Sequence, residues 1–279
     1  MSLPSNWKNI HTSNTSTLIM GILNVTTDSF SDGGQFIDRD IAVNHALEME
    51  KSGADIIDIG GESTRPGAEP VTMEEELDRV ISIIEGIRSN SNVCISIDTY
   101  KADVADKALS AGADMVNDIS GLQFDERMVN VVRAANVPVI IMHIKGTPRN
   151  MQQDPHYENL MEEIVAYFQE RVEFCHEHGI KNENIILDPG IGFGKRLQDN
   201  FELLRELKQI SDLGFPVLSG PSRKSFIGLT LDLPVDERVE GTAAAVTASI
   251  LNNANIVRVH DVKEMKRVAI ITDTIRGLA

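Results

Sequence analysis

The sequence predicts an α/β fold of one particular kind, a single-domain (β/α)8 TIM barrel, and three observations predict it. Short apolar runs ending in a polar residue recur eight times, each followed by a segment of helical periodicity. The chain has 279 residues, close to the ~250 that such a barrel needs. Its residues are 42% hydrophobic and 24% charged, the balance of an ordinary globular chain.

The runs lie at 18–24, 56–61, 93–98, 115–118, 137–143, 185–188, 215–219 and 256–260. Residues 1–16 read as a polar lead-in, and 17–279 as the barrel. After the first run comes a polar, turn-rich connection at 26–36, and after the second a shorter one at 63–67. Thr72-Met-Glu-Glu then reads as a capping box ahead of Leu77, Val80, Ile81 and Ile84. In the third run, strand alternation turns Asp98, Ser96 and Cys94 inward and Ile95 and Ile97 outward. The fourth run contains Asn117, and Asp125 is a candidate N-cap for the helix behind it. A second long loop, opening at Lys145, follows the fifth run. Asp188 closes the sixth run, and Asp236 is another candidate N-cap. In the eighth, Arg258 and His260 share one parity, and Asp261-Val-Lys-Glu reads as a second capping box.

A barrel of this class builds its site at the C-terminal ends of its strands. Those ends carry Asn24, Asp98, Asn117, Asp188, Arg258 and His260. The net charge of −16 argues against a nucleic-acid or membrane-surface partner. Against that acidic background, Arg65, Lys195, Arg223, Lys224, Arg258 and His260 gather on the strand-exit side, which points to an anionic small molecule. The two cysteines, Cys94 and Cys175, give no disulfide framework and suit a reducing cytoplasm. The opening residues lack the apolar stretch of a signal peptide, and no run reaches the ~20 apolar residues of a membrane span.

In Asp188-Pro-Gly-Ile-Gly-Phe-Gly-Lys195 the glycines allow close approach of backbone to ligand, with the spacing of neither a Walker A loop nor a dinucleotide fingerprint. Asp188 would accept adjacent N–H donors from a heterocycle with a 2-amino group and a ring N–H, or would simply cap its own turn. Ser222-Arg-Lys-Ser and Arg258-Val-His260 bring hydroxyls and cations suited to a phosphate or carbonyl oxygen.

These segments together resemble the dihydropteroate synthase family. Gly21-Ile-Leu-Asn-Val-Thr-Thr-Asp-Ser-Phe-Ser-Asp-Gly-Gly and Asp58-Ile-Gly-Gly-Glu-Ser-Thr-Arg-Pro-Gly look like its two signature segments. Ser96-Ile-Asp-Thr, Val116-Asn-Asp-Ile, Met142-His, Gly146-Thr-Pro and the three segments above follow in the family's order. The resemblance implies condensation of 6-hydroxymethyl-7,8-dihydropterin diphosphate with 4-aminobenzoate, giving 7,8-dihydropteroate and diphosphate for folate biosynthesis. It implies an SN1-like course assisted by Mg²⁺, a sulfonamide-binding site and a cytoplasmic homodimer.

Carried over by position, Asp98, Asn117, Met142, Asp188, Lys224 and Arg258 would hold the pterin. Asn24, Arg258 and His260 would hold the diphosphate, with Asn24 as metal ligand. Phe30, Thr64, Arg65, Pro66, Phe193, Lys224 and Ser225 would wall the 4-aminobenzoate pocket. Asp98, Lys224 and Arg258 would carry the catalysis, and the loops at 26–36 and 63–67 would close over it. Two other readings share the pterin pocket: a corrinoid-dependent methyl-tetrahydrofolate methyltransferase and a non-catalytic pterin-binding paralogue. The anion-binding segments count against the first. The presence of Asp98, Asn117, Lys224, Arg258 and His260 together counts against the second.

Overall fold

A computed structural model describes residues 3–5, 7–10, 15–25, 35–65 and 67–278. Eight parallel strands alternate with helices: β1 (Leu18–Asn24), β2 (Ile56–Gly60), β3 (Cys94–Asp98), β4 (Met115–Asp118), β5 (Val139–Met142), β6 (Ile185–Asp188), β7 (Leu218–Ser219) and β8 (Ile256–Val259). They pair in the order β6-β5-β4-β3-β2-β1-β8-β7. A parallel bridge between Leu187 and Val217 closes the ring. There Leu187 N donates to Pro216 O at 2.9 Å. β7 is shorter than the apolar run at 215–219: Val217 N donates to the Asn255 side-chain oxygen at 2.9 Å, and Pro216 before it has no N–H to give.

Alternation sorts the strand residues into two cores. Ile19, Leu23, Ile57, Ile59, Ile95 and Ile97 face outward and pack under the helices. Leu18, Met20, Ile56, Cys94, Met115 and Ile256 face inward and fill the lower barrel. The inward turn of Cys94 and outward turn of Ile95 and Ile97 match the parity read from the sequence. Trp7 and Ile10, from the segment read as a polar lead-in, join the inner core. Asn255 Nδ2 fixes that plug by donating to Ile10 O at 3.0 Å. Burial of each large apolar side chain there is worth roughly 1.5–3 kcal/mol.

The helices that bear on the site are α1 (Gln35–Lys51), α2 (Met73–Asn90), α3 (Ala102–Ala111), α4 (Met128–Ala135), α5 (Leu160–Glu177), α6 (Leu197–Glu206), α7 (Lys208–Ser211), α8 (Ser225–Leu231), α9 (Val239–Leu251) and α10 (Val262–Ile275). Thr72 caps α2 in the expected box: Glu75 N donates to Thr72 Oγ1 at 3.2 Å and Thr72 N to Glu75 Oε2 at 2.9 Å. The second expected box does not form. Asp261 stands at the N-cap of α10 without a side-chain cap bond, because Arg223 takes its carboxylate at 2.5 and 3.0 Å. Asp125 also caps differently from expectation. Its Oδ2 accepts from Ala102 N, the first residue of α3, at 3.0 Å, while Arg127 stands at the N-cap of α4. Asp236 lies in a 3-10 turn, and Arg238 precedes α9.

Register sets the rim. Asn24 pairs with Gly60, Gly60 with Asp98, and Asp98 with Asn117, so three polar side chains share one level. Met142 and Asp188 are paired across β5 and β6. Asp58, level with Ser96, lies two residues deeper on β2.

Candidate active site

An arginine bridging two carboxylates occupies the centre of the barrel mouth. Arg258 Nε donates to Asp58 Oδ2 at 2.6 Å, and its Nη2 donates to Asp98 Oδ2 at 2.7 Å. Asn117 Nδ2 donates to the same Asp58 oxygen at 3.0 Å. The planar guanidinium is suited to such a bridge, since its donors are fixed in a fork. Burial works against the charge of Arg258, but Asp58 and Asp98 outweigh it and hold its pKa above the ordinary value. Asp98 is pushed up to about 7 by burial and by the negative Asp58, against the pull of Arg258. Two acids share one cation here, so the mouth suits a ligand that brings donors or positive charge.

Asp188 stands at the end of β6. Its Oδ1 accepts from Gly190 N at 2.8 Å, and no donor among the described residues reaches Oδ2. Burial raises its pKa, with the Gly190 N–H and the Lys224 charge opposing. Gly190 has φ +67°, and a Cβ there would sit 2.0 Å from His143 O, so the turn admits only glycine. Lys224, at the N-cap of α8, holds its ammonium 4.0 Å from the centre of the Phe193 ring. Burial and the Arg258 charge bring its pKa down to about 8. Met142 is buried at the end of β5, beside Asp188.

His260 follows β8. Its backbone N donates to Ser222 Oγ at 3.2 Å, which leaves the serine hydroxyl to donate to Nδ1, 3.0 Å away. That assigns the proton to Nε2 and leaves one free N–H donor. Burial and the Arg258 charge lower its pKa to about 4, so it is neutral at pH 7. Asn24, at the end of β1, has no side-chain partner among the described residues, and a Cβ at Gly60 would lie near both its oxygen and the Asp98 side chain.

The expected residues are not all gathered. Thr64 is half-buried and Arg65 exposed on the loop after β2, and Ser225 is exposed in the first turn of α8. Phe30 and Pro66 lie outside the described residues, as does most of the loop at 26–36. The cationic cluster read at the mouth is thinned by two members. Arg223 is paired with Asp261. Lys195 lies beneath the glycine-rich turn, donating to His143 O at 3.1 Å and Phe193 O at 3.0 Å with His143 Nδ1 at 2.8 Å.

The sequence reading missed one residue of the central bridge, Asp58. It is fully buried and receives both Arg258 and Asn117. A signal existed: an acid inside the run Ile-Ile-Asp-Ile-Gly, in phase with the rim position Gly60, must face the barrel interior.

The fold and this site define a class: a (β/α)8 barrel whose mouth is built from buried carboxylates, an amide and cations. The family model described as pterin binding enzyme matches residues 20–260. A dihydropteroate synthase of Clostridium beijerinckii is 52% identical over 260 residues, covering 93% of this chain and 94% of that protein. A dihydropteroate synthase crystal structure from Clostridium difficile, obtained in the presence of pteroic acid, superposes with a TM-score of 0.89 at 48% identity, covering 94% of this chain and 97% of that one. The Xanthomonas albilineans dihydropteroate synthase with 4-aminobenzoic acid gives a TM-score of 0.89 at 40% identity, covering 95% and 94%. The chain belongs to the dihydropteroate synthases within the pterin binding enzyme family.

Proposed function

We propose that the chain is a transferase that joins the methylene carbon of 6-hydroxymethyl-7,8-dihydropterin diphosphate to the amine of 4-aminobenzoate, releasing diphosphate and 7,8-dihydropteroate. The carrying observation is the Asp58–Arg258–Asp98 bridge with Asn117, facing the separate acceptor Asp188 in one barrel mouth. Such a set suits a ring that is rich in N–H donors along one edge and carries a carbonyl oxygen. Asp188 and Asn117 read the donor edge, Lys224 donates to the carbonyl oxygen, and Met142 and Arg258 lie against the ring.

The C–O bond to diphosphate breaks first, leaving positive charge spread into the dihydropterin. Asp98 carries the negative charge nearest to that cation, and Arg258 and the Nε2–H of His260 take the charge of the leaving group. The arylamine nitrogen then bonds to the methylene carbon and loses a proton to solvent. No strong base is needed, because the neutral arylamine attacks an already formed cation. Thr64, Arg65, Phe193, Lys224 and Ser225 border the arylamine side.

Among the described residues no three His, Cys, Asp or Glu side chains converge as a metal site. The amide oxygen of Asn24, without a partner among the described residues, fits Mg²⁺, a hard ion that keeps water and substrate oxygens and needs few protein ligands. Bound there with the diphosphate, Mg²⁺ would neutralise charge on the leaving group. The homodimer is supported by an apolar groove between α6, α8 and α9, lined by Phe201, Leu204, Phe226, Ile227 and Leu231. Leu229 beside it is 71% exposed, and sedimentation equilibrium would read the pairing. Among the described residues no helix is long and apolar enough to cross a membrane, and a cytoplasmic location is part of the same reading.

Calorimetry with dihydropterin diphosphate tests the ligand assignment. Binding should require Mg²⁺ for full strength and be tightest between about pH 7 and pH 8. Below that window Asp98 takes up a proton and stops accepting; above it Lys224 loses the charge it donates with. Affinity that stays flat from pH 6 to 9 would remove both residues from the pterin pocket.

A further inference from the structure

The loop after β2 is tied at its neck by a buried ion cluster that the catalytic reading does not use. Glu62, 9% exposed in its side chain, accepts from Tyr100 Oη at 2.7 Å through Oε1. Its Oε2 accepts from Lys101 Nζ at 2.5 Å and from Val71 N at 3.3 Å. The Lys101 ammonium spends its other two hydrogens on Glu76 Oε2 at 2.5 Å and Val71 O at 3.0 Å. All three donors of that lysine are therefore committed. Arg79 Nη1 adds a bond to Gly61 O at 2.7 Å.

Residues 61, 62 and 71 are thus held together, and the eight residues between them form a closed loop. Elsewhere the described residues of that loop are held lightly. Gly67 N reaches Pro148 O only at 3.4 Å, and Glu69 and Arg149 pair at an exposed position. The neck also joins the loop to the rim, because Tyr100 and Lys101 follow Asp98 by two and three residues. A surface ion pair contributes little, whereas a carboxylate buried with its cation and two further donors constrains its surroundings far more.

From this geometry we infer that Glu62, with Lys101 and Tyr100, is a positioning residue that fixes the 63–70 loop against the Asp98 rim and so sets affinity for 4-aminobenzoate. The inference rests on the reading that Thr64 and Arg65 border the arylamine pocket. Glu62 touches no reacting atom. It acts through the loop, so its loss falls on arylamine binding and not on pterin binding, which uses the strand ends.

The test is Glu62→Ala, which leaves Lys101 paired with Glu76 and Val71 O, beside the milder Glu62→Gln and Tyr100→Phe. Hydrogen exchange, pterin calorimetry and steady-state kinetics are read on each folded variant. For Glu62→Ala, amides at 63–71 should exchange at least about tenfold faster while α2 and α3 are unchanged. The KM for 4-aminobenzoate should rise about tenfold, with kcat within about twofold and dihydropterin diphosphate affinity unchanged. The milder variants should fall between this and the wild type, and they carry the test if Glu62→Ala does not fold. Unchanged exchange at 63–71 would overturn the clasp. Faster exchange with an unchanged KM would overturn its role in arylamine binding. A wild-type protein that turned over no 4-aminobenzoate would instead remove the synthase reading and the arylamine role with it, while exchange would still decide the clasp.

Discussion

Replacing Arg258 with alanine should abolish dihydropteroate formation, by about a thousandfold or more, and should also destabilise the fold. Both effects come from one contact set. Arg258 Nε and Nη2 neutralise Asp58 and Asp98, which are otherwise buried acids in one mouth. Breaking a buried ion pair by deleting one partner costs about 3–5 kcal/mol, because the remaining charge is left uncompensated. Asp98, already raised to about 7, loses the group that opposes its protonation and would rise further. It would then be neutral at working pH, and the developing cation would lose its nearest negative charge. At 1.36 kcal/mol per tenfold, a thousandfold loss is about 4 kcal/mol of barrier, a reasonable loss for one charge in a site closed to water. Arg258→Lys separates the contributions. A lysine restores a charge but cannot fork to two carboxylates, so stability should recover more than rate. The rate is read from initial velocities with both substrates saturating, and stability from urea unfolding. A variant with normal velocity would take Arg258 out of the reaction.

Asp188→Ala should cost about a hundredfold or more in dihydropterin diphosphate affinity while the melting temperature moves little. Hydrogen bonds to a charged group contribute about 1.5–3 kcal/mol, and the carboxylate is assigned two adjacent donors of the ring. Among the described residues the carboxylate's only hydrogen bond is from Gly190 N, so the fold loses a single cap. Asp188→Asn is the sharper variant. Its amide can keep Gly190 N on the oxygen but must then turn an NH2 towards the donors of the ligand. It should therefore bind no better than the alanine variant. Pterin binding in calorimetry close to wild type for either variant would sink the assignment.

Much of this was legible in the sequence, for physical reasons that differ by residue. β1, β4 and β6 begin and end where the apolar runs do, since a barrel strand is greasy up to the rim and polar at it. The inward turn of Asp98 and Cys94 follows from a period of two, which no tertiary contact can alter within a strand. What was not legible depends on partners far apart in the chain. Asp261 has the sequence of a capping residue, but Arg223, 38 positions away, competes for its carboxylate. Lys195 has the look of a mouth cation until the turn at Gly190 folds over it. Asp58 waits on Arg258, 200 positions away, before its burial makes sense.

The most direct measurement is diphosphate release by the purified protein supplied with Mg²⁺ and 6-hydroxymethyl-7,8-dihydropterin diphosphate, with and without 4-aminobenzoate. The account predicts release that depends on 4-aminobenzoate and is matched mole for mole by 7,8-dihydropteroate. Pterin binding without release or product in the presence of both substrates would contradict it, and would favour a pterin-binding protein that performs no condensation.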